Sequence, residues 1–319
     1  MTESIVFLDR DTIAPHTKIR RPSFDHTWNE FGKSSPHQVP ARLRGATIAI
    51  TNKALIGEAT IQQCPDLKLI AVAATGYDIV DTSACEKYGV SLTNVRNYSK
   101  HSVPEHTFAL ILALTRQIFG YCEDIKKGEW GKAGQFCFFN HRINDLYGKR
   151  LIIIGKGSIG TAVGRIAEAF GMEVHFSGRK GVADAGLPYT PWDKCIAIGD
   201  IFTIHCPLDP STAGMFGIHE FSCMKDSAII INTSRGNIVV EEDLINAIEK
   251  KIIGGAALDV IKKEPPENDS PLIKTMKYPN FILTPHIGWS STEAMQTLVD
   301  QMIQNIENFL AGKPSNIVV

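Results

Sequence analysis

Three polar residues stand shortly after apolar runs. Arg235 follows Ile229-Ile-Ile-Asn-Thr-Ser, Glu264 follows Leu258-Asp-Val-Ile-Lys-Lys, and His286 follows Phe281-Ile-Leu-Thr-Pro. Such runs read as buried parallel strands, and open α/β sheets place their ligands at the carboxyl ends of those strands. The three residue types complement one another. A guanidinium offers a bidentate fork to a carboxylate and polarises the adjacent carbonyl. An imidazole delivers or removes a proton near neutral pH. A carboxylate beside it favours the imidazolium form and orients the ring. Anchor, proton donor and orienting acid are what hydride transfer to a 2-keto acid needs. Arg235, Glu264 and His286 are therefore the candidate catalytic residues, with Arg235 and His286 also against the substrate.

A hydride needs a carrier, and Leu151–Gly160 supplies a place for one. Leu151-Ile-Ile-Ile154 reads as a buried strand, and Gly155, Gly157 and Gly160 follow at G-x-G-x-x-G spacing. Ile159, Ala162, Val163, Ile166, Ala167 and Phe170 then recur at the three- and four-residue steps of an amphipathic helix. Gly155 permits the tight turn, Gly157 lets backbone approach a pyrophosphate, and Gly160 lets the helix pack on the strand. The helix N-terminus adds free N–H groups and a partial positive charge.

The remaining pattern positions these pieces. Strands are predicted at 5–9, 48–51, 67–75 and 90–93, with short helices at 58–64 and 82–88. Residues 12–40 give little periodic signal and read as loop with one short helix. Ser102 and Glu105 have capping-box spacing before the apolar run Phe108–Leu114. A helix over 103–127 that is apolar on every side is expected to lie between two bodies. Residues 128–147 are aromatic and irregular, either a loop packed on its own domain or a subunit contact. Strands at 173–177, 201–206, 228–232, 255–258 and 281–284 alternate with helices such as 241–250, a doubly wound βαβ rhythm. The last helix opens at Ser290-Ser-Thr-Glu293, stops at Gly312, and is placed back on the first domain.

Bulk composition narrows the class. The chain has 319 residues, 44% hydrophobic and 21% charged, with a net charge of −1. Its length favours two domains, and its charge gives no field for nucleic acid or an anionic membrane. The N-terminus lacks a signal-peptide pattern, and Phe108–Leu114 is too short to span a bilayer. Seven scattered cysteines fit reduced thiols in a cytoplasmic protein. His101 and His106 lack a third partner at ligand spacing, so no metal is expected. Cys206 beside His205 is not read as a nucleophile, because strand neighbours face opposite ways.

Over nearly its whole length the chain resembles the D-isomer-specific 2-hydroxyacid dehydrogenases. The resemblance rests on Gly155-Lys-Gly-Ser-Ile-Gly160, Asn232-Thr-Ser-Arg-Gly236, Ala257-Leu-Asp-Val260 leading to Glu264-Pro265, and Thr284-Pro-His-Ile-Gly288. It implies a Rossmann doubly wound sheet at 101–286. It also implies a smaller flavodoxin-like α/β substrate domain at 1–100 plus 287–319. It implies Arg235 as substrate anchor, His286 as acid/base and Glu264 as its partner. It further implies Asp259 near the nicotinamide carboxamide, Thr107 near the cofactor phosphates, and Ser158, Ile159, Cys206, Pro207, Thr233 and Ser234 along the cofactor. Backbone at Thr75-Gly76 is implied to hold the substrate carboxylate, with Trp289 also on the substrate. Trp289-Ser-Ser and Trp130 with Gln135-Phe-Cys-Phe-Phe139 resemble glycerate dehydrogenases, also called hydroxypyruvate reductases. Pro104 and Ile261 depart from the family pattern, where Ala and Phe are common.

The expected activity is reduction of hydroxypyruvate or glyoxylate to the D-2-hydroxy acid by a homodimer. The alternatives are a D-lactate or phosphoglycerate dehydrogenase, or a dinucleotide-sensing protein of the co-repressor kind. An NAD-selective sheet ends its second strand in Asp or Glu. Here that strand runs into Ser177-Gly-Arg-Lys180, so Ser177, Arg179 and Lys180 are candidates for a 2′-phosphate and NADP is favoured over NAD.

Overall fold

The computed structural model describes residues 2–182 and 186–319. The chain divides into two compact units, Met1–Tyr98 with Ser290–Val319, and Ser99–Trp289. The expected boundaries lie a few residues from these.

The first unit opens with β1 (Glu3–Phe7), β2 (His26–Glu30), α1 (Val39–Arg42) and β3 (Ile48–Thr51). It continues with α2 (Glu58–Gln62), β4 (Leu69–Val72), α3 (Thr82–Tyr88) and β5 (Ser91–Thr93). All five strands are parallel, in the order β2-β1-β3-β4-β5, which is the flavodoxin-like order. β2 lies where the sequence suggested loop. Its residues His-Thr-Trp-Asn-Glu are half-buried or exposed, so it has no apolar signature. Its conformation comes from pairing with β1, Ile5 opposite Trp28, at the sheet edge.

The second unit begins with α4 (Ser102–Thr115), α5 (Ile118–Lys126) and α6 (Glu129–Ala133). The single helix expected over 103–127 is thus two, parted at Gln117, whose φ of +54° is left-handed. The capping box at Ser102 does not form. His101 is the N-cap, and the Ser102 hydroxyl donates to the carbonyl of Gly288 instead. There follow β6 (Arg150–Ile154), α7 (Ser158–Ala169), β7 (Glu173–Ser177), β8 (Tyr189–Thr190), α8 (Trp192–Ile198) and β9 (Ile201–Ile204). Then come α9 (Ile218–Cys223), β10 (Ile229–Asn232), α10 (Glu241–Glu249), β11 (Gly255–Leu258), α11 (Pro271–Thr275) and β12 (Phe281–Leu283). The parallel sheet runs β12-β11-β10-β9-β6-β7-β8, and its order reverses between β6 and β9.

Both faces of this sheet are covered, which is why its strands are apolar throughout. Ile152 and Ile154 of β6 pack with Trp192, Phe216 and Leu244 on one face, whereas Leu151 and Ile153 pack with Phe108, Ile111 and Val163 on the other. The all-apolar run of α4 is explained within the unit, since it covers its own sheet beside α7. The aromatic segment after α6 is packed only in part: Phe138 and His141 lie against Tyr121 of α5 and Leu146 is buried, whereas Phe136 and Phe139 are 88% and 82% exposed.

The last helix, α12 (Thr292–Leu310), belongs to the first unit and packs on β4. Ser291 caps it by accepting from the Ala294 N–H, one residue beyond the expected start, and Gly312 ends it at φ +69°. The C-terminal residues add to the edge of β5 through bonds between Leu92 and both Val318 and Val319. Among the described residues no helix is long and apolar enough to cross a membrane.

One ion pair ties the irregular segment before β2 to α12. The Arg20 guanidinium donates twice to the Glu307 carboxylate, at 2.8 and 2.7 Å, and the Ser23 N–H adds a third bond at 2.9 Å. The Arg20 hydrogen bonds, working against burial, hold the Glu307 carboxyl down at about 2. A depressed carboxyl contributes stability above its ordinary value near 4.5, and loses it as pH falls towards 2. Glu307→Gln is therefore expected to cost roughly 1–2 kcal/mol at pH 7, the exposed guanidinium being screened, and clearly less at pH 3. Urea unfolding at both pH values checks this, and an equal loss at both would refute it.

Candidate active site

The glycine turn links β6 to α7 at the point where strand order reverses. Gly155 has φ +103°, and a Cβ there would lie 2.6 Å from the His205 carbonyl oxygen and 2.8 Å from the Cys206 nitrogen. Gly160 is tighter still, because its Cβ would sit 2.0 Å from the Gly155 oxygen. Gly157 faces open space, with no atom within 4 Å of such a Cβ. The next residue, Ser158, is exposed and begins the twelve-residue α7. An open approach to backbone ahead of a helix N-terminus fits the pyrophosphate of a dinucleotide. Ile159 is half-buried beside it.

The neighbouring His205-Cys206 pair stays neutral. Burial pushes the His205 imidazole down to about 3 and the Cys206 thiol up to about 11. Neither a thiolate nor an imidazolium forms there near pH 7. The Cys206 carbonyl accepts from the Ser234 hydroxyl, which joins the end of β9 to the end of β10. Pro207 is exposed in the same rim. Among the described residues, no group of three or more His, Cys, Asp or Glu side chains is placed to hold a metal.

At the end of β7 the structure separates the three residues expected at a 2′-phosphate. Arg179 is exposed. Ser177 is buried and its hydroxyl donates to the Gly178 carbonyl at 3.0 Å. Lys180 is committed to protein, 2.7 Å from the buried Glu220 carboxylate and 2.9 Å from the Met215 carbonyl. Lys180, though exposed, is thus already paired, and Ser177 already has an acceptor within its own turn.

Arg235 is held by its turn. The Asn232 side chain, fully buried, donates to the Arg235 carbonyl at 2.9 Å and accepts from the Ser234 N–H at 3.0 Å. Gly236 allows backbone to touch backbone: a Cβ there would lie 2.0 Å from the Ile261 carbonyl carbon. This contact brings the Arg235 turn against the segment leading to Glu264. Glu264 Oε1 accepts from the Ile261 N–H at 3.1 Å, and Oε2 lies 2.6 Å from His286 Nδ1. With Nδ1–H donating to Glu264, Nε2 is the ring atom left to exchange a proton.

His286 sits at φ +56°, a strained setting for a residue with a side chain. Asp259 maintains it. The Asp259 carbonyl accepts from the His286 N–H at 2.8 Å. Its carboxylate accepts from the Thr284 hydroxyl at 2.6 Å, the Ile287 N–H at 2.9 Å and the Gly288 N–H at 2.8 Å. Burial alone would raise this carboxyl, but bonds from His106, Thr284 and the two N–H groups outweigh it and hold it below its ordinary value. Asp259 is only 2% exposed and braces the loop from inside. Thr107 is likewise fully buried, donating to the Val103 carbonyl at 2.8 Å and meeting the Thr233 hydroxyl at 3.3 Å. It supports Thr233 from behind. Trp289 is half-buried at the end of this unit. Thr75 and Gly76 lie in the other unit, beyond β4, where the Thr75 hydroxyl donates to Val95 and its carbonyl accepts from Asn94. Sequence reasoning missed Asn232 and passed over His106, which it weighed only as a metal ligand.

The sequence model described as D-isomer specific 2-hydroxyacid dehydrogenase, NAD binding domain, matches residues 108–288. The chain belongs to this family. It is 42% identical to a glycerate dehydrogenase of Methylorubrum extorquens over 100% of this chain and 99% of that one. It is 34% identical to a hydroxypyruvate reductase of Blautia hydrogenotrophica over 88% and 87% of the two chains. Among solved structures, an acyclic imino acid reductase in complex with NADPH and D-arginine superposes with a TM-score of 0.82, at 27% identity, covering 99% and 100% of the two chains. As a D-2-hydroxyacid dehydrogenase the chain is a nicotinamide-dinucleotide oxidoreductase that interconverts a 2-keto acid and its D-2-hydroxy acid.

The dehydrogenase's glycine turn gives a direct test. Gly160→Ala forces a Cβ into backbone that no rotamer relieves, and is expected to weaken dinucleotide binding at least about tenfold. Gly164→Ala is the control, because its Cβ meets Ile153, Phe176 and Val174 at ordinary distances of 3.4–3.5 Å. Titration by nicotinamide fluorescence measures both, and similar affinities for the two variants would contradict the close-packing role.

Proposed function

We propose that this dehydrogenase reduces hydroxypyruvate or glyoxylate, with His286 as acid/base, Glu264 as its orienting partner and Arg235 as the carboxylate anchor. The observation that carries the roles is the 2.6 Å bond from His286 Nδ1 to Glu264 on a loop braced from inside. The substrate class is supported by relatives named glycerate dehydrogenase and hydroxypyruvate reductase.

When bound, the nicotinamide dinucleotide supplies the hydride that C2 of the keto acid receives. Arg235 holds the carboxylate through its fork and fixes the direction in which C2 and its oxygen point. His286 holds a proton at Nε2 and passes it to that oxygen as negative charge builds there. Glu264 accepts the Nδ1–H bond throughout, which keeps the ring in one tautomer and one orientation. In the reverse direction Nε2 takes the proton from the hydroxyl of the D-2-hydroxy acid.

His286→Ala is expected to lower turnover by about 10²–10⁴-fold while dinucleotide still binds. Arg235→Ala should act mainly by raising KM for the keto acid. Both are read from steady-state oxidation of the reduced dinucleotide over hydroxypyruvate, glyoxylate, pyruvate and phosphohydroxypyruvate, with the first two giving the highest kcat/KM. Near-wild-type turnover of His286→Ala would remove it from the mechanism, and a preference for either of the last two would move the substrate assignment.

NADP is the proposed cofactor in preference to NAD. Support comes from Gly178 where an NAD-selective sheet has an acid, and from the exposed Arg179 beside it. Arg179→Ala should reduce kcat/KM for NADPH about tenfold or more, as for a lost hydrogen bond to a charged group, and leave NADH nearly unchanged. An equal effect on both would overturn the preference. A homodimer is proposed as well, supported by the exposed Ile118, Phe119 and Ile125 of α5 together with Phe136 and Phe139. A cytoplasmic setting is consistent with seven cysteines that are all free.

A further inference from the structure

The first turn of α4 grips the loop that carries His286. Ser102 and His106 are four residues apart and so lie one above the other on the helix. The Ser102 hydroxyl holds the Gly288 carbonyl, at the loop's far end. His106 Nε2 lies 3.2 Å from Thr284 Oγ1 and 3.3 Å from Asp259 Oδ1, at the loop's near end. The room is tight, since a Cβ on Gly288 would come within 3.0 Å of Asp259 Oδ2 and 3.2 Å of His106 Cδ2.

Donor counting fixes the direction of these bonds. Thr284 has one hydroxyl proton, and its 2.6 Å bond commits that proton to Asp259 Oδ1. Towards His106 the Thr284 oxygen is left only to accept. The ionised Asp259 carboxylate also only accepts. His106 therefore bears its proton on Nε2 and is the donor shared between the two oxygens.

We propose that His106 is a positioning residue for His286. It donates from Nε2 to the Thr284–Asp259 pair, and that pair holds residues 284–288 in the one arrangement that presents His286 to Glu264. His106 is not placed on the reacting atoms; it acts through the loop. The need for such a brace follows from the strained φ of His286, which persists only where surrounding contacts over-determine it. The proposal rests on the reading of His286 as acid/base.

The test compares His106→Ala and His106→Gln, each alone and in a His286→Ala background, with hydroxypyruvate and NADPH as substrates. His106→Ala should lower kcat about a hundredfold, the scale of a catalytic group displaced by about 1 Å, with KM values and dinucleotide affinity little moved. Glutamine carries an N–H donor of similar reach, so His106→Gln should recover most of that loss. In the His286→Ala background His106→Ala should cost nothing further, because its only route runs through His286. Thr284→Val supplies a second route should the alanine variant fold poorly: it removes the shared acceptor and should reproduce the kcat loss. A His106→Ala kcat within about twofold of wild type would overturn the proposal, since displacement of an acid/base group costs far more. So would losses that add to those of His286→Ala, or a glutamine variant as impaired as alanine. Full activity of His286→Ala alone is a different failure, which removes the acid/base reading itself.

Discussion

A buried carboxylate at the end of β11 governs the catalytic end of this enzyme. Taking an unpaired charge out of water is costly, and a group such as Asp259 survives burial only if donors surround it. The Thr284 hydroxyl, the N–H groups of Ile287 and Gly288, and the His106 ring are those donors. Three of the four belong to a single five-residue loop. The charge therefore cannot be satisfied unless that loop folds over it, and the folded loop places His286 at the strand end with its strained φ. The same loop delivers Nδ1 to Glu264. One electrostatic requirement thereby sets both the backbone and the ring orientation of the proposed acid/base.

A second constraint acts at the glycine turn and is purely steric. At Gly155, Gly160 and Gly236 the chain brings backbone against backbone, with carbonyl groups where a Cβ would otherwise stand. Gly155 abuts the end of β9, and Gly160 abuts Gly155 itself. These contacts draw the ends of β6 and β9 together at the point where strand order reverses, the place where open α/β sheets receive dinucleotides. Gly236 does the corresponding work between the Arg235 turn and Ile261. Close approach and internal charge are separable devices. The first shapes the bed for a pyrophosphate, and the second aims the groups that handle the keto acid and its proton.

Much of this fold is legible in the amino-acid order, for a definite reason. Strands covered on both faces must be apolar at every position, so β3, β6, β10 and β11 announce themselves as runs. The glycine spacing after β6 is similarly direct, because each glycine answers a local steric demand. β2 carries no such mark: it is an edge strand formed by its neighbour's hydrogen bonds. The break at Gln117 and the use of Ser102 outside its own helix are also tertiary in origin. In the second case a side chain suited to capping found a better acceptor in Gly288, nearly two hundred residues away in sequence.

The site divides along the same line. Arg235, Glu264 and His286 are legible because strand ends in such a sheet are where polar residues acquire chemical roles. What a strand end does not reveal is which groups nearby are already satisfied. Arg179 and Lys180 are adjacent, exposed cations, yet Glu220 and the Met215 carbonyl already engage Lys180. Ser177, Thr107 and Asp259 are polar and close to the expected site, yet all three are buried, with their oxygens engaged in internal bonds. A polar residue near a site is available to a ligand only if the fold has left a donor or acceptor over. That depends on distant segments such as the start of α4, whose Ser102 and His106 looked like a cap and a failed metal ligand until Asp259 gave His106 a partner. The proposed chemistry therefore rests on a few groups that are not fully buried, and the buried polar residues around them are the reason those groups hold still.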